Sequence, residues 1–591
     1  MNTLLWLLVG VLLYTSAAMA LKSRGRLPAA VKVSGPIVTV HTNRGKELLT
    51  RLAAPKRLWR AWGNFGVGIA LVLMVGSFLA VLFSGISAIT DPQTAGFVRP
   101  QDALVIPGVN RFLPLAAAVD IVVGLLVGLV VHEGGHGLLC RVEDIDIDSM
   151  GVALFAFVPM GAFVQPDEES QEAADRGGKT RMFAAGVTNN FLVTAVSFLL
   201  LFAIVGSLVS VASGVAIGGV LPGSAAEDAG IERGDVLVGV DGEEIDDESS
   251  FTAALAEADR EVTIDRKDGD PVTVERNLIV TRAVVDGPIE TGTEIRTVNG
   301  ETVFTESAFR TAIEGEETVE LRTESGTVRL PIGTFVSTVP ADQPLGAEGA
   351  SDTPTIVHSV DGQQTPNPEA LSSVMADTEP GDTVEVVVYQ GGAEAGDPWS
   401  GERAVYEVTL GEHPNEDHGF LGVGGIQTGT SGIAVDDFGI DTYPADRYHA
   451  TLGGTGWGDE PVTTFVTRTF AALVLPFMNM VDPNAGYNFA GFNGAITNFY
   501  SVSGPLSAGA VFGIVNVLFW TGWVNINLGI FNCIPSYPLD GGHILRSSVE
   551  ATLARLPGSA SQVTVSAITG AISVTMILSL LGMLFAPWLL G

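Results

Sequence analysis

Long apolar runs constrain this chain more than any other feature of its sequence. They cover residues 65–89, 115–140, 183–211, 506–534 and 563–590. A helix needs about 20 predominantly apolar residues to cross the hydrocarbon core of a bilayer, so each run is long enough to be a membrane span. The sequence therefore predicts an α-helical polytopic membrane protein.

A second kind of sequence occupies residues 212–450. The whole chain carries 66 Asp and Glu against 31 Lys and Arg, a formal net charge of −35, although 47% of its residues are hydrophobic. Acids, threonine, glycine and short β-rich runs dominate residues 212–450, which predicts a soluble insert of α+β structure. Such density of carboxylates resembles the composition of proteins from salt-loving archaea. The absence of a large basic domain in the sequence argues against a nucleic-acid partner.

The N-terminal 60 residues predict the orientation. Residues 4–20 are apolar and fit either a signal peptide or an uncleaved helix; no basic residue precedes the run, which favours the helix. Residues 22–60 contain ten Lys and Arg and one acid, Glu47. Basic loops stay in the cytoplasm, so this segment is predicted to lie inside and the insert outside.

The motif His132-Glu133-Gly134-Gly135-His136 is the strongest chemical signal. In a helix, residues four apart lie on one face, so both imidazoles can bind one Zn²⁺ ion while Glu133 reaches a water at the metal. The motif ends an apolar run, where ionisable side chains are costly and mark functional sites. The alternative is a helix end that emerges into water with charged residues.

A third ligand must come from elsewhere, because catalytic zinc usually has three protein ligands and one open position. Asp540 offers one, in a stretch broken by proline and glycine after the run at 506–534. Irregular backbone of this kind is tolerated at membrane depth only beside protein or a cavity. The alternative is a plain turn at the end of a helix.

Together the two motifs resemble the site-2 protease family of intramembrane zinc metalloproteases. The resemblance implies one Zn²⁺ held by His132, His136 and Asp540, with Glu133 as catalytic acid/base. It also implies that Asn532 assists substrate or oxyanion binding. Segments 157–164, 185–191 and 503–505 resemble further motifs of that family, with Met160 and Val187 as departures. Asn189 and His543 are candidates to support the ligands without binding the metal.

The insert contains an imperfect repeat in three copies, at 234–242, 292–300 and 355–362, each a short strand that ends in an Asp-Gly or Asn-Gly turn. The first copy resembles protease-type PDZ domains, which implies binding of peptide tails by strand addition; a folded spacer is the alternative. The predicted domains are 1–21 first membrane helix, 22–61 basic cytoplasmic linker, 62–211 N-terminal membrane core, 212–283 PDZ domain, 284–340 and 341–425 degenerate PDZ-like repeats, 426–460 acidic linker, and 461–591 C-terminal membrane core.

Two segments of the membrane cores are harder to interpret. Residues 150–164 are apolar but too short and too broken for a span, and we predict a re-entrant strand hairpin. Residues 465–480 fit a span, an interfacial helix or one arm of a re-entrant pair, because Arg468 and Pro476 interrupt them.

Other reactive residues are predicted to stand outside the chemistry. Cys140 and Cys533 are expected to be small apolar fillers, and Asp120 an interfacial or helix-paired acid. Four histidines are predicted to be surface residues of the insert: His358, His413, His418 and His449.

The leading hypothesis is an endopeptidase in the cell membrane that cuts a membrane-spanning helix of another protein. The zinc motifs are predicted to lie toward the cytoplasmic side. The alternative is a catalytically silent membrane scaffold that presents PDZ domains to peptides. A secreted zinc protease fits poorly, because the motif lies between several predicted spans.

Overall fold

The computed structural model describes residues 3–90, 107–108, 110, 113–155, 158–391, 397–413, 417–457, 460–481, 486–555 and 561–590. It separates into two compact units. The membrane unit comprises residues 1–210, 446–494 and 501–591, and the β-rich unit comprises 211–445 and 495–500. Parts of the segment between the predicted spans at 65–89 and 115–140, and Phe157 of the motif at 157–164, lie outside the described residues.

The α-helices of the described residues are α1 Thr3–Ser23, α2 Asn43–Leu52, α3 Lys56–Thr90, α4 Ala118–Val142, α5 Glu168–Ala173, α6 Arg176–Leu208, α7 Ala225–Asp228, α8 Glu248–Glu257, α9 Glu306–Ile313, α10 Pro344–Ala347, α11 Pro368–Ala376, α12 Ala445–Leu452, α13 Pro461–Val474, α14 Met478–Val481, α15 Ala508–Asn532, α16 Asp540–Leu553 and α17 Gln562–Leu590. Among them, six helical stretches are long and apolar enough to cross a membrane. They contain α3, α4, α6, α13 with α14, α15 and α17, which confirms the predicted polytopic class.

The strands are β1 Val31–Ser34, β2 Ile37–His41, β3 Ile147–Phe155, β4 Val158–Pro166, β5 Val209–Val211, β6 Val215–Val220, β7 Val236–Val240, β8 Glu243–Glu244, β9 Glu261–Arg266, β10 Val272–Glu275, β11 Ile279–Ala283, β12 Ile295–Val298, β13 Glu301–Thr302, β14 Thr318–Thr323, β15 Gly326–Pro331, β16 Thr334–Thr338, β17 Thr355–Val360, β18 Gln363–Gln364, β19 Thr383–Gln390, β20 Glu402–Thr409, β21 Gly411–Glu412, β22 Gly419–Phe420, β23 Gly424–Ile426, β24 Ile433–Asp436, β25 Ile440–Thr442 and β26 Tyr500–Val502.

Glycines bring the central helices of the membrane unit together. A Cβ on Gly124 of α4 would lie 2.8 Å from the carbonyl oxygen of Trp520 on α15. A Cβ on Gly135 would lie 2.8 Å from the carbonyl oxygen of Ala185 on α6. Small residues at such contacts let helix backbones approach closely, which is how membrane helices associate. Helix α4 is therefore fixed against both α6 and α15.

The hairpin β3–β4 forms at the segment where a strand hairpin is predicted. It belongs to a four-stranded antiparallel sheet of order β1-β2-β3-β4, whose first two strands come from the predicted basic linker. Gly151 of β3 leaves room for the strand opposite, since a Cβ there would lie 2.1 Å from the carbonyl oxygen of Val40. The 22–61 segment is thus folded, with Val33 and Val38 buried.

The segment 461–494 enters the membrane unit and turns back. The Trp523 indole N–H on α15 donates to the carbonyl oxygen of Leu473 (3.0 Å), near the end of α13. The backbone N–H of Phe492 donates to Asn516 Oδ1 (2.7 Å), about 10 Å nearer the start of α15. The chain therefore returns along α15 after α14, an arrangement compatible with the re-entrant alternative, while Pro461–Val481 is also long and apolar enough for the span alternative.

The β-rich unit holds three modules built on the same plan. Module one has the strand order β10-β9-β7-β6-β25, and module three has β20-β19-β17-β16-β23. Module two has the order β13-β12-β14-β15 beside a separate pair, β11-β24. Each module encloses its own cluster of buried aliphatic and aromatic residues.

The last strand of each module comes from residues 424–442. Strand β23 completes module three, β24 module two and β25 module one, so the modules close in reverse order and are nested. The structure therefore differs from the predicted boundaries: β11 and β16 each belong to the module that follows. The 426–460 segment is not a linker, because it supplies β24, β25 and α12.

Candidate metal centre

The two imidazoles of α4 lie side by side in the interior of the membrane unit. His132 and His136 are buried, and their ring centroids are 4.7 Å apart. Their Nε2 atoms are separated by 3.1 Å. Consecutive turns of one helix therefore present both nitrogens to a common point.

Asp540 reaches the same point from the other end of the sequence. Its Oδ2 lies 3.1 Å from His132 Nε2 and 3.3 Å from His136 Nε2. Asp540 begins α16, directly after a tight turn. The two glycines that follow Asp540 allow the start of the helix to pack closely against that turn. A Cβ on Gly541 would lie 2.3 Å from the carbonyl oxygen of Ile534, and one on Gly542 would lie 2.9 Å from that of Ser536.

These three atoms fit a small tetrahedral cation. Zinc bonds of about 2.0–2.1 Å to nitrogen and oxygen give tetrahedral edges of about 3.3–3.4 Å, close to the observed spacing. Asp540 Oδ2 is buried and accepts no hydrogen bond from the described residues. Gly186 of α6 leaves the space open, since a Cβ there would lie 2.7 Å from His136 Nε2. The residues present therefore suit zinc.

The outer nitrogens of both imidazoles contact polar groups that can orient the rings. His136 Nδ1 lies 2.8 Å from the carbonyl oxygen of Met182, so the proton sits on Nδ1 and Nε2 keeps its lone pair. His132 Nδ1 lies 3.2 Å from the Asn190 amide nitrogen, and Asn190 Oδ1 is buried without a partner. A half-turn of that amide places its oxygen at His132 Nδ1–H and frees His132 Nε2 for a metal.

The carboxylate of Glu133 is held by the hairpin. The backbone N–H of Val164 on β4 donates to Glu133 Oε2 at 2.8 Å. Glu133 is half-buried, between the two histidines in sequence. Strand β4 therefore orients the acid next to the candidate metal ligands.

Comparison with known proteins decides the family. The model of peptidase family M50 matches residues 120–577, a range that covers more than half of the chain. The chain belongs to peptidase family M50. This membership confirms the resemblance to the site-2 protease family.

Three relatives of this M50 chain show how low its sequence identity to curated proteins is. A protein of Staphylococcus aureus named "Putative zinc metalloprotease" is 33% identical over 124 residues, 21% of this chain and 27% of that protein. One of the same name in Clostridium perfringens is 26% identical over 185 residues, 26% of this chain and 50% of that protein. An uncharacterized protein of Methanocaldococcus jannaschii is 25% identical over 162 residues, 27% of this chain and 42% of that protein. The chain thus spans half or less of the length of these relatives.

The other predicted site residues lie in different settings in this M50 chain. Asn189 accepts a hydrogen bond from the Trp62 indole (3.0 Å) and so joins α6 to α3. The His543 ring stacks on Phe183, with centroids 4.3 Å apart, and does not belong to the three-residue ligand group. Asn532 donates to the carbonyl oxygen of Leu528 (2.9 Å) in its own helix, so its oxyanion role stays a prediction.

Three contributors to the site were missed from the sequence: Asn190, Gly186 and Val164. Asn190 follows the predicted Asn189, and only the helical phase of α6 decides which of the two faces His132. Gly186 lies on that same face of α6, so its role had a signal in the segment 185–191 that we had already singled out. Val164 lies in the segments 150–164 and 157–164 that we had also singled out, but its contact with Glu133 depends on how the strands pair.

Both cysteines are buried, as expected for small apolar fillers, whereas the four histidines predicted to be surface residues are buried or half-buried. Cys140 and Cys533 are free and buried. His358 was wrongly predicted to be exposed. It is buried on β17, between β16 and β19 in the sheet, and its ring forms a hydrogen bond with the carbonyl oxygen of Ile332. His413 and His418 are half-buried in the β-rich unit. His449, also half-buried, lies on α12 in the membrane unit.

Proposed function

We propose that this protein is an intramembrane zinc metalloendopeptidase that cleaves membrane-spanning segments of other membrane proteins. One zinc ion is held by His132, His136 and Asp540. The observation that carries the proposal is the triangle of three ligand atoms, 3.1–3.3 Å on a side, one of which is the buried Asp540 Oδ2 that accepts no hydrogen bond from the described residues. Two of the three atoms belong to α4, which is long and apolar enough to span a membrane.

The residues of the chain divide the work of peptide hydrolysis. Zinc, when bound, supplies Lewis-acid chemistry that polarises a carbonyl and makes water more acidic. Glu133 accepts a proton from the attacking water and delivers it to the leaving amine. Val164 orients Glu133, while Met182 and Asn190 hold the two imidazoles in the tautomer that leaves Nε2 free. Asn532 assists the developing oxyanion.

Membership of M50 and the six apolar helical stretches support a membrane location. For the orientation, we propose that the zinc site lies toward the cytoplasm and that the β-rich unit is extracellular. Basic residues next to a span favour the cytoplasmic side. Two of them lie at the end of α4, where they form ion pairs: Lys56 with Asp144 (2.6 Å) and Arg60 with Glu143 (3.3 Å). Module one is proposed to bind peptide tails of substrates as a PDZ domain.

The decisive experiment compares wild type with Glu133→Gln in proteoliposomes that contain a transmembrane substrate. We expect both proteins to retain zinc, and the variant to cleave about 10²–10⁴-fold more slowly. His136→Ala serves as the matched control that loses zinc as well as activity. Equal cleavage by wild type and Glu133→Gln, or a purified wild type without zinc, would favour the silent scaffold instead.

A further inference from the structure

The basic residues around α2 fall into two groups with different partners. Lys46 donates to the carbonyl oxygen of Asp148 (2.6 Å), while Lys56 and Arg60 pair with acids at the end of α4. These three bind the segment to the rest of the membrane unit. Arg44, Arg51 and Arg57 are exposed and form no ion pair with the residues that the structure describes.

Exposed leucines lie beside the unpaired arginines. Leu48, Leu52 and Leu58 are 56%, 48% and 61% exposed. Residues three and four apart share one side of a helix, so Arg44, Leu48, Arg51 and Leu52 form one continuous face of α2. We call these four residues, with Arg57 and Leu58 just beyond them, the Arg/Leu face. Only Leu49 of α2 is buried, so Leu49 marks the direction in which the helix faces the protein.

Helix α2 lies next to the start of a candidate membrane span. Three residues separate it from α3, which is long and apolar enough to cross a membrane. The Trp59 indole N–H donates to the carbonyl oxygen of Leu52 (2.7 Å) and ties the two helices together. Tryptophan and basic residues next to a span are typical of the membrane–water boundary.

We infer that the Arg/Leu face docks on the anionic headgroups of the surrounding lipid leaflet. The guanidinium groups match lipid phosphates, and the leucines enter the boundary between headgroups and acyl chains. An acidic protein could also neutralise the arginines, but the Arg/Leu face lies next to a helix that is long and apolar enough to span a membrane, so lipid headgroups are the partner at hand. Continuity with a spanning helix favours the lipid.

Docking there bears directly on the metal centre. The side chain of Leu49 packs against Gly137 of α4. A Cβ on Gly137 would lie 2.6 Å from Leu49 Cδ1 and 3.3 Å from Val164 Cγ2. Gly137 follows His136, and Val164 holds Glu133. The lipid surface thereby braces the helix and the strand that carry the site.

A fluorescent probe tests this docking in full-length protein reconstituted into vesicles. A bimane label is attached at Leu48→Cys or, on the opposite side of α2, at Thr50→Cys. Vesicles contain phosphatidylcholine alone or with phosphatidylglycerol, and spin-labelled lipid is the quencher. Unsubstituted protein, whose two cysteines are buried, gives the background. We expect lipid quenching at position 48 only, enhanced by phosphatidylglycerol.

Charge variants show whether the arginines are responsible. Arg44→Gln/Arg51→Gln is expected to lower the docked-to-undocked ratio about fivefold for each arginine. Arg24→Gln/Arg26→Gln removes the same charge from the same basic segment and is expected to change nothing. Leu52→Ser is expected to reduce quenching while leaving its dependence on phosphatidylglycerol intact. Equal access of a water-soluble quencher to positions 48 and 50 in both vesicles would overturn lipid docking.

Discussion

The membrane unit and the β-rich unit use their residues differently. In the membrane unit, polar side chains distant in sequence meet at one point, and glycines such as Gly135 and Gly186 make the room. Among the described residues, the group of His132, His136 and Asp540 is the one cluster of His, Cys, Asp or Glu with metal-ligand spacing. The β-rich unit instead repeats one plan with three apolar cores. Single substitutions of polar residues in the membrane unit should therefore abolish zinc binding and activity. Substitutions that create cavities in the β-rich unit should instead lower the free energy of unfolding.

The largest effect is expected from Asp540→Ala. Loss of a residue that only supports a ligand costs about 10–100-fold in metal affinity, and loss of a ligand itself should exceed that. Zinc content after dialysis against a graded chelator measures the change. Asp120→Ala, which removes an acid from the first turn of α4, is the matched control and should keep its zinc. Equal zinc affinity in the two variants would contradict the proposed ligand set.

A cavity in module one should act on stability alone. Leu237 of β7 is fully buried, and Leu237→Ala is expected to cost about 2–5 kcal/mol in the free energy of unfolding. Val285→Ala in the same unit removes an exposed side chain and should stay within about 0.5 kcal/mol. Calorimetry of the full chain, with zinc analysis of each variant, separates the two properties. Loss of zinc in Leu237→Ala would break the distinction between the units.

Local patterns predicted the helical parts well, and long-range pairing explains what they missed. The spacing of His132 and His136 placed both on one helix face, and a family resemblance supplied Asp540. Strands β1 and β2 were missed because their valines alternate within a basic segment that reads as a linker. Strands β23, β24 and β25 are three or four residues long and rich in glycine and aspartate. Their partners lie far away in sequence, so only the folded chain shows that they complete three modules.

A smaller effect is expected from Asn190→Leu, which removes the polar partner of His132 Nδ1. Zinc affinity should fall about 10–100-fold, because the imidazole loses the group that orients it. Asn189→Leu is the adjacent comparison; it breaks the contacts with the Trp62 indole on α3 and with the carbonyl oxygen of Val131 on α4 (3.4 Å), neither of which involves an imidazole, and should lower zinc affinity less. Titration with a zinc-buffered chelator compares the two. If Asn189→Leu proved the more damaging, the helical phase assigned to α6 would be wrong.

The smallest effect concerns a contact between modules two and three. The Tyr389 hydroxyl donates to Glu317 Oε1 (2.7 Å), and this hydrogen bond, together with the charge of Arg403, lowers the pKa of Glu317. A lowered folded-state pKa contributes stability above the unfolded pKa of about 4.3, and that stability is lost as the pH falls below it.

Glu317→Gln should therefore lower the Tm of the full chain slightly at pH 7, and by progressively less as the pH falls through the lowered pKa of Glu317. Its side chain is 52% exposed, so solvent screening limits the cost to under about 1 kcal/mol. Glu324→Gln, on the exposed turn after β14, is the control and should show no pH-dependent difference. A destabilisation of Glu317→Gln that persisted at low pH would mean that packing, rather than the charge on the carboxylate, joins the two modules.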